Sequence, residues 1–392
     1  MKHKMKRFCA LFLAALLMLA CSGCLLEQNT YQDYTGQTQT PEGPNVSVDG
    51  PLDDTDLPEQ EEEEEEEAPQ PTVYTLSFAG DCTLGTDPEV YGATGTFVHT
   101  VGENYGYPFE KALPYFENDD FTLINFEGVL AEEGEGKEKE YRFRGPLSYA
   151  KILTAGSVEA VNLSNNHTMD FGEAGYKSTK EALNRENVPY VEHTGTILYT
   201  TKSGLKIGLY AGQFWVDTDH MEQAITKLRE DGAEIVIVSY HGGEEGSYTP
   251  TGDQKTYAHK AIDAGADIFY GHHPHVLQPI EAYNGGVIYY SLGNFSFGGN
   301  RNPRDKDTAV IQQEVIRELD GTVRLGETKA IPFCLSGEQN YNTYQPTPYE
   351  EGSEQYQRAL SKLDGTFDGP DLTVSTQTPT TENTPEDPAQ TA

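Results

Sequence analysis

Positive charge is scarce in this 392-residue chain: 27 Lys and Arg stand against 63 Asp and Glu, for a net charge of −36. A deficit of this size argues against nucleic acid as a partner, because its phosphates are met by clustered lysine and arginine. An anionic ligand then needs a metal ion or a local basic patch to hold it. Cysteine is scarce too. Of five, only Cys82 and Cys334 lie beyond the first 24 residues, so no disulfide framework staples the fold; a single bridge between these two is the most an oxidising compartment would allow. The apolar run Phe8 to Ala20 is too short and wrongly flanked for a membrane-spanning helix. An internal repeat of about 20 to 50 residues is absent, and so is any nucleophilic serine or cysteine motif.

What is present begins with a basic start (Lys2, Lys4, Lys6, Arg7), that apolar run, and then small residues and cysteine. This is the pattern of a secretory signal over residues 1–24. Its end, Cys21-Ser22-Gly23-Cys24, resembles a bacterial lipobox, with Cys24 after Gly23 as the better lipidation site and Cys21 as the alternative. A diacylated cysteine would tie the protein to the outer face of a membrane; plain secretion is the other outcome of the same signal. Residues 25–72 carry 15 acids and no Lys or Arg, including the unbroken run Glu61 to Glu67. Such a segment cannot bury enough apolar surface to offset its ordering entropy and reads as an extended, self-repelling tether. Residues 366–392, rich in Thr and Pro with 5 acids and no base, read as a disordered tail. Of the net −36, the tether carries −15, the tail −5 and the signal +4, so residues 73–365 carry −20.

Between them, short apolar runs alternate with amphipathic stretches, which predicts an α/β architecture with helices covering sheet faces. The spacing predicts helices over roughly 109–118, 146–155, 172–187, 218–231 and 252–264. Strands are expected at 73–80, 121–128, 158–167, 234–245, 267–276 and 287–297, a domain-closing strand and loop at 329–348, and a last helix at 349–364. Most of these strands end in a residue with chemical potential: Asp81, Asn125 with Glu127, the run NLSNNHTMDFG at 162–172, His241, GHHPH at 271–275, and Asn294. In open α/β sheets, ligands sit at the carboxyl ends of the strands, where all these residues fall. Carboxylate, amide oxygen and imidazole together suit Mn, Zn, Fe or Mg, and a cluster of this size has room for two divalent ions.

The ordered motifs FAGDCTLG, NFEGVL, NLSNNHTMDFG, YHGGEE, GADIFYGHHPHVLQPIE and YYSLGNFSF resemble the calcineurin-like metallophosphatases. More closely, they resemble the bacterial capsule-biosynthesis and poly-γ-glutamate synthesis family called CapA, over residues 73–335. The resemblance implies a layered α/β-β/α sandwich built on a two-metal site. It implies as metal ligands Asp81, Glu127, Asn166, His241 and one or two of His272, His273 and His275, with His273 and His275 preferred. It makes His167 the proton donor to a leaving oxygen and Asp170 the carboxylate that orients it. Asn125, Glu245, His272 and Asn294 are placed against substrate or behind the ligands; Asn294 would donate to a bound oxygen or cap a turn. Three departures stand out: Glu127 replaces the usual bridging aspartate, Gly242 replaces a tryptophan that would wall the site, and Gly298 replaces an acid. The implied activity is metal-assisted hydrolysis or transfer at a phosphoester, or another polymer-processing step, alongside the capsule or poly-γ-glutamate machinery. The alternative is a non-catalytic surface component that guides an anionic polymer.

Overall fold

The computed structural model describes residues 69–134 and 136–372. The signal segment with Cys21 and Cys24, the tether up to residue 68 and the tail from residue 373 lie outside the described residues. In chain order, the strands of the two large sheets are β1 (Thr72–Ala79), β2 (Phe121–Asn125), β3 (Ala160–Asn162), β4 (Tyr190–Val191), β5 (Thr196–Thr200), β6 (Lys206–Gln213) and β7 (Ile235–His241). They continue with β8 (Ile268–His272), β9 (Ile280–Tyr283), β10 (Gly286–Tyr289), β11 (Asp307–Arg317), β12 (Val323–Cys334) and β13 (Thr347–Pro348). The longer helices are α1 (Gly172–Arg185), α2 (Thr218–Glu230), α3 (Gly252–Asp263) and α4 (Glu354–Leu363).

One sheet has the order β13-β12-β11-β1-β2-β3-β4 and the other β9-β10-β8-β7-β6-β5. Strands β1 to β4 are parallel, as are β6, β7, β8 and β10, and antiparallel strands close the flanks. Side chains alternate between the two faces of a strand, and the apolar residues divide accordingly. Leu76 and Phe78, Phe121 and Leu123, and Ile311 and Val315 pack directly against Ile207, Leu209, Ile235, Ile237, Ile268 and Tyr270 of the other sheet. The outer faces are covered separately. Ile124, Val161 and Val310 meet Ile152, Leu153, Ala182 and Leu183, while Val236, Val238, Phe269 and Ile288 meet Met221, Ile225 and Leu228 of α2 and Ala258, Ala261 and Ile262 of α3. The result is helix, sheet, sheet, helix: the layered α/β-β/α sandwich. Each such side chain fully removed from water contributes about 1.5–3 kcal/mol, so the inter-sheet seam is the main source of rigidity beneath the site.

The same alternation carries on to the strand ends. Asn125 follows Phe121 and Leu123 at period two, Asn162 follows Ala160, His241 follows Ile235 and Ile237, and His272 follows Ile268 and Tyr270. All four therefore stand on the inner faces of their strands, at one end of the seam. Tyr270 ties the sheets together there, its hydroxyl donating to the Ala79 carbonyl.

Several elements differ from the sequence expectation. The helix expected over 109–118 is a 3-10 turn at Tyr107–Phe109 and a single turn at Leu113–Phe116, because Pro108 and Pro114 remove backbone donors. The strand expected over 158–167 stops at Asn162, where the Asn162 side chain accepts from Ser164 N at 2.8 Å and starts the turn. Strand β11 was not expected. Its inward face reads Ala309, Ile311, Gln313, Val315, and the buried Gln313, which accepts from the Tyr289 hydroxyl at 2.8 Å, hides the apolar alternation.

Helix α4 is pinned to the body by charge. Arg358 donates to both oxygens of the buried Asp307 at 2.7 Å, and Lys362 donates to Asp305 and Asp307, each at 2.7 Å. Residues 366–372, assigned by composition to the tail, are bonded to the body. Leu372 N donates to Gly246 O at 2.8 Å, Asp371 accepts from Tyr248 N at 2.7 Å, and Phe367 stands edge-on to Tyr248. Phe367 and Leu372 are the apolar anchors in an otherwise polar run. Among the described residues, no helix is long and apolar enough to cross a membrane.

Candidate metal centre

Asp81 leaves the end of β1 with its side chain buried between the sheets, and a buried hydrogen-bond lattice forms around it. Asn125 Nδ2 donates to Asp81 Oδ1 at 2.8 Å, while Asn125 Oδ1 accepts from Asn162 at 2.9 Å and Asn165 at 3.1 Å. Asn165 also donates to the Phe126 carbonyl at 2.8 Å and accepts from His167 N at 3.1 Å. The three asparagines thus lock the NLSNNH turn to β2 and aim Asn166 and His167 outward from it.

Three groups of side chains bring ligand atoms within 4.8 Å of one another: Glu127, His241 and His273; Asp81, Glu127 and His275; and Glu245, His273 and His275. Glu127 belongs to the first two, so the extra methylene still allows it to face both. In the first group, His241 Nε2 lies 3.1 Å from His273 Nδ1, 2.8 Å from Asn166 Oδ1 and 3.6 Å from Glu127 Oε1. In the second, His275 Nδ1 stands 3.3 Å from Asp81 Oδ2 and 2.9 Å from Asn294 Oδ1. Asn294 thereby orients His275, and also donates to its carbonyl at 3.3 Å. His272 sits beneath, with Nδ1 3.3 Å from Asp81 Oδ1 and Nε2 3.2 Å from Ser239 Oγ.

The electrostatics fit a divalent cation. Both carboxylate oxygens of Glu127 are buried without a hydrogen-bond donor, and burial pushes the carboxyl up to about 8, with His275 opposing. Burial and the neighbouring His273 push His241 well below the usual imidazole range, and burial with His275 brings His273 down to about 3. Burial disfavours charge on His275 too, but Glu127 and Asp81 outweigh it and hold the ring up to about 10. For Asp81, burial acts upward, and hydrogen bonds with His272 and His275 overcome it, keeping the carboxyl well below its usual value. A buried carboxyl group lacking donors, set beside the neutral imidazoles of His241 and His273 and an amide oxygen, is a donor set that a divalent ion completes, displacing the proton that His275 holds without one.

Beside this cluster stand His167 and Asp170. His167 Nδ1 lies 2.7 Å from Asp170 Oδ2, and its Nε2 faces Glu127 Oε1 at 3.9 Å. Asp170 accepts further from Phe143 N at 2.9 Å and from Lys139 Nζ at 2.6 Å. Burial lowers the His167 ring, with Asp170 opposing, so a doubly protonated ring, once formed, releases its Nε2 proton readily. Lys139 also reaches the Asn166 carbonyl at 3.2 Å. Sequence reasoning missed Lys139, whose only signal is a base inside the acidic run EEGEGKEKE. His167, His275, Asn294, Glu245, Phe143, Phe297 and Leu372 line a cleft of about 240 Å³ that opens over the centre.

Two of the three departures acquire physical reasons. A side chain at Gly242 would begin 2.4 Å from the Tyr240 hydroxyl, and the apolar wall is supplied instead by Phe214, edge-on to His273 at 5.0 Å and to His241 at 6.0 Å. A side chain at Gly298 would begin 1.9 Å from the Gly85 carbonyl, so no acid fits there. Cys82 and Cys334 are both free, and burial holds the Cys82 thiol far above its usual value, which makes it an inert packing residue.

Residues 75–299 match the family described as bacterial capsule synthesis protein PGA_cap. The capsule biosynthesis protein CapA of Bacillus anthracis is 31% identical over 269 residues, 61% of this chain and 63% of that protein. The PGA biosynthesis protein CapA of Bacillus subtilis is 31% identical over 283 residues, 65% of this chain and 71% of that protein. The chain therefore spans somewhat under two thirds of the first relative and somewhat over two thirds of the second. Among solved structures, the NAD nucleotidase of Haemophilus influenzae superposes with a TM-score of 0.40 at 11% identity, covering 76% of this chain and 56% of that one.

Proposed function

The chain belongs to the bacterial capsule synthesis protein family, and from that membership we propose that it is a metal-dependent phosphoester hydrolase or transferase. Its place in this reading is capsule or poly-γ-glutamate biosynthesis, outside the cytoplasm, tethered by a lipid on Cys24 or Cys21. The observation that carries the chemistry is Glu127: a buried, donorless carboxylate shared by two ligand groups, with His167 Nε2 3.9 Å from it. Asp81, Glu127 and His275 would hold one ion, and Glu127, Asn166, His241 and His273 the other. Two such ions, Mn, Zn, Fe or Mg, supply Lewis acidity toward a phosphoryl group when bound.

The chain's own residues do the rest. Asp170 accepts the Nδ1 proton of His167 and so fixes the ring with Nε2 toward the cleft; in its doubly protonated form the ring gives the Nε2 proton to the departing oxygen and is left neutral, its Nδ1–H still on Asp170. Lys139 and Phe143 N hold Asp170 in place, and Asn294 does the same for His275. Phe143 and Phe297 line the cleft beside these groups.

The test uses the full chain, stripped with chelator and reloaded with Mn or Zn, acting on a generic phosphodiester. The wild type is expected to turn over, and His167→Ala to lose at least about a hundredfold while keeping its metal. Metal-loaded wild type that hydrolyses no member of a phosphoester panel, or a His167→Ala variant as active as wild type, contradicts the enzymatic reading and leaves a polymer-guiding scaffold in its place.

A further inference from the structure

His273 belongs to two of the ligand groups at once, with Glu127 and His241 on one side and Glu245 and His275 on the other. Its ring nitrogens are divided between them: Nδ1 is 3.1 Å from His241 Nε2, and Nε2 is 4.0 Å from Glu245 Oε1. A neutral imidazole has one lone pair and one N–H, so it ligates on one side only. The Nδ1 side is the better formed. Donor spacings of 2.8, 3.1 and 3.6 Å around His241 Nε2 are close to the edges of a polyhedron about one ion with bonds of about 2.0–2.2 Å. The Nε2 side is open, with the Glu245 side chain 54% exposed.

We propose that Glu245 is a positioning residue: it accepts the Nε2 proton of His273 and thereby fixes Nδ1 as the ligating atom, without itself binding metal. This inference rests on the metal-dependent reading above. A carboxylate hydrogen-bonded to the far nitrogen of a ligating histidine sets its tautomer and raises its basicity. The backbone around Glu245 is held for this task. Gly246 N donates to Pro274 O at 2.8 Å, between His273 and His275, and Leu372 N donates to Gly246 O at 2.8 Å. The main chain just after Glu245 is therefore held, and rotation of the exposed Glu245 side chain is the movement that closes 4.0 Å to hydrogen-bond distance. Phe214, edge-on at 5.0 Å, limits the ring of His273 from another side.

The test is metal content and titration on the full chain with zinc, together with a long-range proton–nitrogen spectrum of histidine-labelled protein. The wild type is expected to hold two ions with His273 protonated on Nε2. E245A is expected to keep one ion and lose about 10–100-fold in affinity for the other, with His273 no longer held as one tautomer. E245Q keeps an oxygen acceptor and recovers much of that affinity; circular dichroism confirms that the variants are folded. An E245A chain that binds both ions as wild type does, equal losses in both variants, or zinc on His273 Nε2 in the wild type overturns this inference alone. A folded wild type that takes up no metal overturns the metal-dependent reading as well.

Discussion

Glu127 and Lys139 show how differently two residues of one site are written in a sequence. Glu127 follows a strand and stands where a bridging carboxylate is wanted, so its candidacy was legible; that its longer side chain still faces both ligand groups was not, because reach depends on where the two sheets meet. Glu127→Gln removes the shared carboxylate and with it an acid whose ionisation is costly in a dry site. The expected outcome is a loss of the metal-induced rise in melting temperature, with the metal-free variant at least as stable as metal-free wild type, read by calorimetry with and without Mn. Lys139 could not be found from spacing, since it lies 27 to 31 residues from the groups it touches. Lys139→Met leaves Asp170 with two donors. Turnover is expected to fall about tenfold, roughly 1.4 kcal/mol in the barrier, with metal content unchanged. Far from the site, burial raises Asp119 to about 7 although Thr122 Oγ1 donates to it at 2.7 Å. The unfolded chain gives up that proton near about pH 4. Between there and about pH 7 the folded state therefore binds more protons, and its stability falls as pH rises. Asp119→Asn is expected to lose less stability than wild type between about pH 5 and about pH 8 in urea unfolding.

At the scale of elements, the strand ends were legible and the sheet flank was not. Apolar runs ending in Asn125, His241 and His272 announce both the strand and the candidate residue at its end, because period-two alternation carries the polar residue onto the inner face. Strand β11 stayed hidden because Gln313 occupies an inward position and is satisfied by a tyrosine from the other sheet. Helix α4 was legible as a helix, but its attachment was not. Asp307→Ala leaves Lys362, 3% exposed, with one of its two carboxylates and strips Arg358 of both its bonds. Removing one partner of a buried pair typically costs about 3–5 kcal/mol, and a loss of this order is expected in the unfolding free energy. Since α4 leads into the segment that holds Gly246, part of that loss should reappear as weaker retention of the second ion.

For the whole molecule, charge is the organising constraint. A domain at −20 repels anions, so under the proposed reading a phosphoester would have to be drawn in by cations held at the end of the seam. That makes the metal content the centre of the account rather than an accessory to it. The sandwich, and the gathering of the candidate residues at one end of it, followed from strand ends and motif order; the Lys139 contact with Asp170, the Phe214 wall and the bonded segment 366–372 depended on contacts between segments distant in sequence. Tethering is a separate expectation at this scale: Cys24→Ala should release the chain from the membrane fraction, unless Cys21 carries the lipid.

The most direct measurement is the number of divalent ions on the full chain, after chelation and reloading with Mn or Zn, by elemental analysis beside a Glu127→Gln control. The account predicts about two ions on the wild type and their loss from the control. A folded wild type that retains none, or a control that retains as many as the wild type, would contradict it.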